Sequence, residues 1–208
     1  MELLNKTFYN TSLPLVYDPE EDGVTHINIW YLGKTELGKM LSHFYKSPFH
    51  HPYFGTFNSM EGFWHYLQSI NSPDDAVDPN KLGPDGNPVK VPRDTLRSLS
   101  GNAAKQYGKK LKWSYVDRFY EIISAANFYK IEQNPVLKKL FIESTLPFDL
   151  YYQNPPIGDA EGQRKVLTKL VNYKWLVDSF EENRILMQYK ERPMQINYDE
   201  IINNPKKH

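Results

Sequence analysis

The chain has 208 residues, 40% hydrophobic and 24% charged, with 25 basic side chains, 25 acidic ones and no cysteine. Such a length and balance fit one globular domain with a sizeable core, and the missing thiols exclude disulfides, thiolate catalysis and cysteine-ligated zinc. No apolar run approaches the ~18 residues of a membrane span, and the stretch from Met1 to Lys6 carries no signal-peptide pattern, so a cytoplasmic protein with no membrane partner is expected.

Residues 10–24 are rich in Pro, Asp and Glu and read as loop. From His26 to Leu32 the chain alternates as a strand does. Gly33 to Gly55, broken by Gly, Pro and His, suits short strands and turns. The helical spacing of Met60, Phe63, Trp64 and Leu67 predicts a helix that begins near Asn58 or Ser59 and stops before Ser72 and Pro73. Residues 71–92 hold five Pro, two Gly and four Asp, the composition of a long exposed loop, either a lid or a mobile connection.

Arg93 to Lys110 is expected to be helical, with a weak point at Gly101. Ser114 and Asp117 stand as the ends of a capping box, opening a helix whose apolar stripe is Val116, Phe119, Tyr120, Ile123 and Ala126 or Asn127. Asn134 and Pro135 open another, through Val136, Leu140 and Phe141. Phe148 to Tyr152 suits a strand, and Gln163 to about Tyr189 a helix with Leu167, Leu170, Val171 and Trp175 as its stripe. The class is α+β, helix-dominated with a few short strands. A single domain is expected over 1–208, with its core at about 27–185 and a polar tail at about 193–208.

The neutral total hides an asymmetry. Residues 1–80 carry 4 basic and 10 acidic side chains, residues 81–130 carry 10 basic and 4 acidic, and residues 131–208 carry 11 of each. The basic middle segment is either a surface that meets phosphates or a solvated charged face.

Two residues break local rules. Continuing the stripe 116, 119, 120, 123, 126/127 by helical steps lands on Lys130, which then points toward the core. A buried amine has a depressed pKa and serves as a nucleophile, whereas a snorkelling lysine at a helix C-terminus is structural. Glu61 stands in a first helical turn beside Phe63 and Trp64. A carboxylate among rings suits acid–base work, whereas Asn58 to Glu61 also reads as a capping box. His50 and His51 are adjacent and lack the spacing of a helical metal pair. His65 is spaced i, i+4 from Glu61. No metal and no cofactor is expected, since the chain has no nucleotide-binding glycine loop and no nucleophile-elbow motif.

Four segments in order resemble the NADAR superfamily, the NAD- and ADP-ribose-associated proteins. Leu41, Ser42, His43, Phe44, Pro48 and Phe49 are similar to its LSNF-x-PF motif. Phe57, Ser59, Glu61, Phe63 and Trp64 are similar to its F-x-S-x-E-H-aromatic-aromatic helix start. Ala104, Lys105, Gly108 and Lys109 resemble A-K-x-x-G-R, and Lys130, Gln133, Asn134, Pro135 and Leu137 resemble K-F-x-Q-N-P-x-L. The stretch from Ser144 to Tyr152 looks most like phage-encoded members, which carry a similar LPF-x-x-YY stretch. Departures are His43 for Asn, Gly62 for His and His65 for Gln, and the D-x-(Tyr/Phe)-W-G and G-x-N-x-L-G motifs have no clean counterpart.

The resemblance implies N-glycosidase chemistry on a ribosyl C–N bond. The leading expectation is removal of ADP-ribose from guanine bases in DNA, reversing toxin-type modification. The alternatives are cleavage of small ribosylated metabolites, as in the riboflavin branch, and a non-catalytic module that binds ADP-ribose. Glu61 is the implied carboxylate, and Lys130 and Lys105 are the candidate lysines, Lys105 alternatively holding a phosphate. Ser42, Phe44, Phe57, Trp64, Gly108 and Tyr152 are the candidate substrate-binding residues. The expected partner is ADP-ribosylated DNA, single-stranded, or an ADP-ribose-containing small molecule, met by a monomer.

Overall fold

The computed structural model describes residues 17–71, 77–114, 116–153, 167–169 and 173–203. It is helix-dominated, with short strands paired two by two. β1 (Ile27–Asn28) runs parallel to β6 (Phe148–Asp149), with Ile27 opposite Phe148. The strand expected from His26 to Leu32 is thus only two residues long. The chain turns at once, with Trp30 N–H donating to the Asn28 carbonyl, and the Asp22 carboxylate takes the N–H groups of Asn28 and Lys34. α1 (Glu36–Leu41) follows, capped by Thr35. β2 (Phe49–His51) and β3 (Gly55–Phe57) then form a hairpin.

α2 (Met60–Gln68) begins where its apolar spacing places it. The expected loop at 71–92 instead contains an antiparallel pair, β4 (Val77–Leu82) and β5 (Pro88–Lys90), joined by a turn with Gly86 at φ +77°. The helix expected from Arg93 to Lys110 is divided. A 3-10 helix covers Arg93–Arg97, and α3 (Gly101–Gly108) starts at Gly101, whose φ of +53° suits a residue without a side chain.

The capping box at Ser114 does not form. Its hydroxyl instead donates to the Gln68 carbonyl at the end of α2, and Arg118, in the left-handed region at φ 55°, precedes α4 (Phe119–Glu132). α4 is buried nearly all round through Ile122, Ile123, Ala125, Ala126, Asn127, Phe128, Lys130 and Ile131, as befits a helix at the centre of the core. It packs on α2, on β2, on α5 (Pro135–Glu143) and on α6 (Lys174–Gln188). Asn134 caps α5 as expected, accepting from Leu137 N–H at 3.1 Å. β7 (Tyr151–Gln153) pairs with β8 (Leu167–Lys169), so Leu167 lies on a strand and not on a helical stripe. The other residues of the expected stripe divide: Leu170 and Val171 lie outside the described residues, and Trp175 is on α6. The polar tail carries α7 (Tyr198–Asn203), whose Ile201 is buried and whose Tyr198 stacks on Tyr53 at 5.0 Å.

One aromatic cluster decides where α2 sits. Phe49, Phe54, Phe57, Phe63 and Tyr66 pack edge to face and in stacks with centroids 5.0–6.4 Å apart. Each ring buried this way contributes about 1.5–3 kcal/mol by leaving water. The Arg97 guanidinium lies 4.7 Å from the Phe57 centroid and 4.5 Å from that of Tyr66.

Candidate active site around Glu61

The start of α2 sets the geometry. Ser59 is the N-cap, its hydroxyl accepting from Gly62 N–H at 3.1 Å, and the Glu61 N–H donates to the His43 carbonyl at 2.9 Å. These bonds satisfy the second and third N–H groups of the helix. Asn58 makes no capping box: its N–H goes to the Arg97 carbonyl and its amide to the Ser98 carbonyl. The Glu61 carboxylate is therefore not engaged in capping. It is 13% exposed, and its Oε1 meets His65 Nε2 at 3.2 Å, one turn along. The first turn of α2 presents the positive end of the helix dipole to this carboxylate.

Rings surround it. Burial, then Tyr173, the Glu61 charge and Tyr31 raise the phenol pKa of Tyr152; burial, then Glu61 and Tyr120, raises that of Tyr173. Trp64, buried, stacks on Trp175 at 6.1 Å and receives Phe119 edge-on at 4.8 Å. It also faces His43 at 5.7 Å. Trp30 meets Tyr152 at 5.9 Å and Tyr31 at 6.0 Å. Tyr31 stacks on Phe44 at 5.3 Å, and the exposed Lys105 places its ammonium 5.6 Å from the Phe44 centroid. Lys105, Phe44, Tyr31, Trp30 and Tyr152 thus form one chain of contacts.

The glycines of α3 bring it against these groups. A Cβ on Gly101 would stand 3.2 Å from the Phe44 carbonyl oxygen, and one on Gly108 only 2.2 Å from His65 Cγ. Gly62 lies as tightly against the Leu96 carbonyl, where a Cβ would come within 2.4 Å. Gly108 therefore packs on His65, the partner of Glu61.

Lys130 is fully buried, and its amine donates to the carbonyls of Ser42 at 3.0 Å and Leu41 at 3.2 Å. It closes the C-terminal end of α1, where a cation is favoured. Burial lowers its pKa to about 7. The ring of His43 is lowered to about 3 by burial and by the Lys130 charge, against a hydrogen bond from Asn127. Asn127 Nδ2 stands 3.2 Å from His43 Nε2, and Asn127 Oδ1 is buried without a partner.

The candidate residues thus divide. Glu61, Trp64, Phe44, Lys105 and Tyr152 gather around the start of α2. Phe57 is fully buried in the aromatic cluster under Arg97. Ser42 is buried, its hydroxyl accepting from Phe44 N–H at 3.3 Å and so shaping the turn that carries Phe44. Asn127, Trp30, Tyr31 and Tyr173 belong to the same neighbourhood and were not singled out by motif, while His43 and His65 stood there only as departures from one. The i, i+4 spacing from Glu61 was the signal for His65. No group of three His, Asp or Glu suited to a metal occurs among the described residues. A hollow of about 380 Å³ lies elsewhere, between Tyr129 and residues 192–198, and contains none of these groups.

No family model matches the chain, and no curated protein matches it. Among solved structures it is similar to the E. coli protein YbiA, known from NMR, at 14% identity and a TM-score of 0.50. The match covers 88% of this chain and 99% of that one. An identity so low speaks for the fold alone: the chain has an α+β fold similar to that of YbiA.

Proposed function

We propose that the protein is an N-glycosidase that removes ADP-ribose from guanine bases in DNA, with Glu61 as its essential carboxylate. The observation that carries this reading is the release of Glu61 from capping. Ser59 caps α2 alone, and the Glu61 carboxylate is left nearly buried, bonded to His65, with Tyr152 and Tyr173 near enough to feel its charge. Cleaving a ribosyl C–N bond builds positive charge on the anomeric carbon, and a fixed carboxylate in a poorly hydrated place stabilises that charge. Water attacks the anomeric carbon and gives a proton to Glu61. The C–N bond breaks, its electron pair stays on the base nitrogen, and that nitrogen takes up the proton that Glu61 received from water, which returns the carboxylate.

Lys130 supports the site from beneath. Its amine holds the carbonyl of Ser42, next to His43, whose own carbonyl receives the Glu61 N–H. Lys105, beside Phe44, suits a phosphate of the ADP-ribose chain. The basic stretch favours a nucleic-acid substrate over a small metabolite: Lys109, Lys110 and Lys112 are exposed where α3 ends against His65, next to a half-exposed Trp113.

The test offers the protein ADP-ribosylated single-stranded DNA and, separately, small ribosylated metabolites. The reading expects free ADP-ribose and unmodified DNA from the first. Turnover of metabolites alone would replace the substrate and keep the chemistry, and turnover of neither would remove both.

A further inference from the structure

We infer that His65 is a positioning residue for the Glu61 carboxylate, held in its Nε2–H tautomer by the packing of Gly108. The inference rests on the glycosidase reading for its consequence and on geometry for its substance. A carboxylate oxygen only accepts, so the 3.2 Å contact between Glu61 Oε1 and His65 Nε2 requires the hydrogen on Nε2. The other ring nitrogen, Nδ1, is buried and has no hydrogen-bond partner. Gly108 explains why. An added Cβ there would lie 2.2 Å from His65 Cγ, 2.5 Å from Nδ1 and 2.6 Å from Cβ. The Gly108 backbone thus covers this side of the ring and leaves no place for an acceptor or a water.

A hydrogen on Nδ1 would be buried with nothing to receive it, while Nε2 would turn its lone pair on the carboxylate. Both effects select Nε2–H. The bond occupies Oε1 and fixes the carboxylate plane, so that Oε2 is the oxygen offered to substrate. A single N–H donor orients Glu61 and leaves its second oxygen clear of this bond. Gly108 is then needed for shape: its missing side chain lets α3 hold the imidazole in place.

The experiment pairs ring NMR with kinetics on the full chain. With ¹⁵N-labelled histidine, the His65 signals are assigned by their disappearance in His65→Gln. They are expected to show a pyrrole-like Nε2 and a pyridine-like Nδ1, and to move toward a tautomer mixture in Glu61→Ala and Gly108→Ala. On ADP-ribosylated DNA, His65→Leu is expected to lose on the order of 10–100-fold in kcat with little change in KM. His65→Gln, whose amide also donates, should recover most of it. An Nδ1–H form in the wild type, or a folded His65→Leu with full kcat, would overturn the assignment. If the wild type turns over no substrate, the glycosidase reading falls, and the ring signals alone decide: Nε2–H supports the assignment and Nδ1–H overturns it.

Discussion

The amine of Lys130 donates to the Ser42 carbonyl at 3.0 Å, from a side chain with no exposed surface. A buried lysine at that place is a cap on α1 first. Its pKa is lowered from 10.5 to about 7 by burial. The unfolded chain therefore binds more protons than the folded one between about pH 7 and 10.5, and stability rises with pH across that window. Relative to Lys130→Met, the wild type is expected to gain up to about 1.4 kcal/mol per pH unit between pH 7 and 9.5, read as denaturation midpoints. Parallel curves for the two proteins would show that the amine is not dehydrated. Borohydride added during turnover is expected to trap no adduct at Lys130, since the amine is committed to two carbonyls.

His43 works in the opposite pH range. Its folded pKa of about 3 lies below its ordinary 6.5, from burial first and the Lys130 charge second. Its neutral form contributes stability that is present above pH 6.5 and lost as the pH falls toward 3. His43→Asn removes this group while leaving an amide to face Asn127. A stability curve flatter than the wild type's between pH 6.5 and 4.5 is expected in acid titrations followed by circular dichroism. His51, also lowered to about 3, stays in both proteins and cancels in the comparison.

Lys105 tests the proposed phosphate contact. Lys105→Ala is expected to raise KM for ADP-ribosylated DNA several-fold while kcat changes little, because an exposed ammonium over the Phe44 ring suits binding of a phosphate and not the bond-breaking step. The dependence of log(1/KM) on log[salt] should flatten by about 0.7, one phosphate contact on a single strand. A loss confined to kcat would place Lys105 in the chemical step.

The elements that were legible in the sequence are those whose signals are local. α2 and α5 carry their own caps, Ser59 and Asn134, and their own apolar spacing. What was not legible depends on distant partners. β7 pairs with β8, a partner outside its own window, while β4 and β5, close as they are, were hidden by the Pro, Gly and Asp residues that read as loop. The box at Ser114 was outcompeted by the Gln68 carbonyl, 46 residues away. In the site, the local reading of Glu61 as a capping residue was displaced by one hydroxyl, that of Ser59. Phe57 shares the motif of Glu61 but faces the core, since β3 buries it against Phe63 and Tyr66. Trp30, Tyr31 and Tyr173 meet Tyr152, Phe44 and Trp64 from segments with no shared spacing, so only the fold brings them in.

The central claim is that the Glu61 carboxylate drives cleavage of a ribosyl C–N bond. Single-turnover release of ADP-ribose from modified single-stranded DNA, compared between the wild type and Glu61→Gln, tests it most directly. The substitution keeps size and leaves the cap at Ser59 untouched, so the variant is expected to unfold at nearly the wild-type temperature. Release by the wild type with a loss of about 10²–10⁴-fold in Glu61→Gln is the predicted result. An equal rate in the two proteins would contradict the claim and return Glu61 to a structural role.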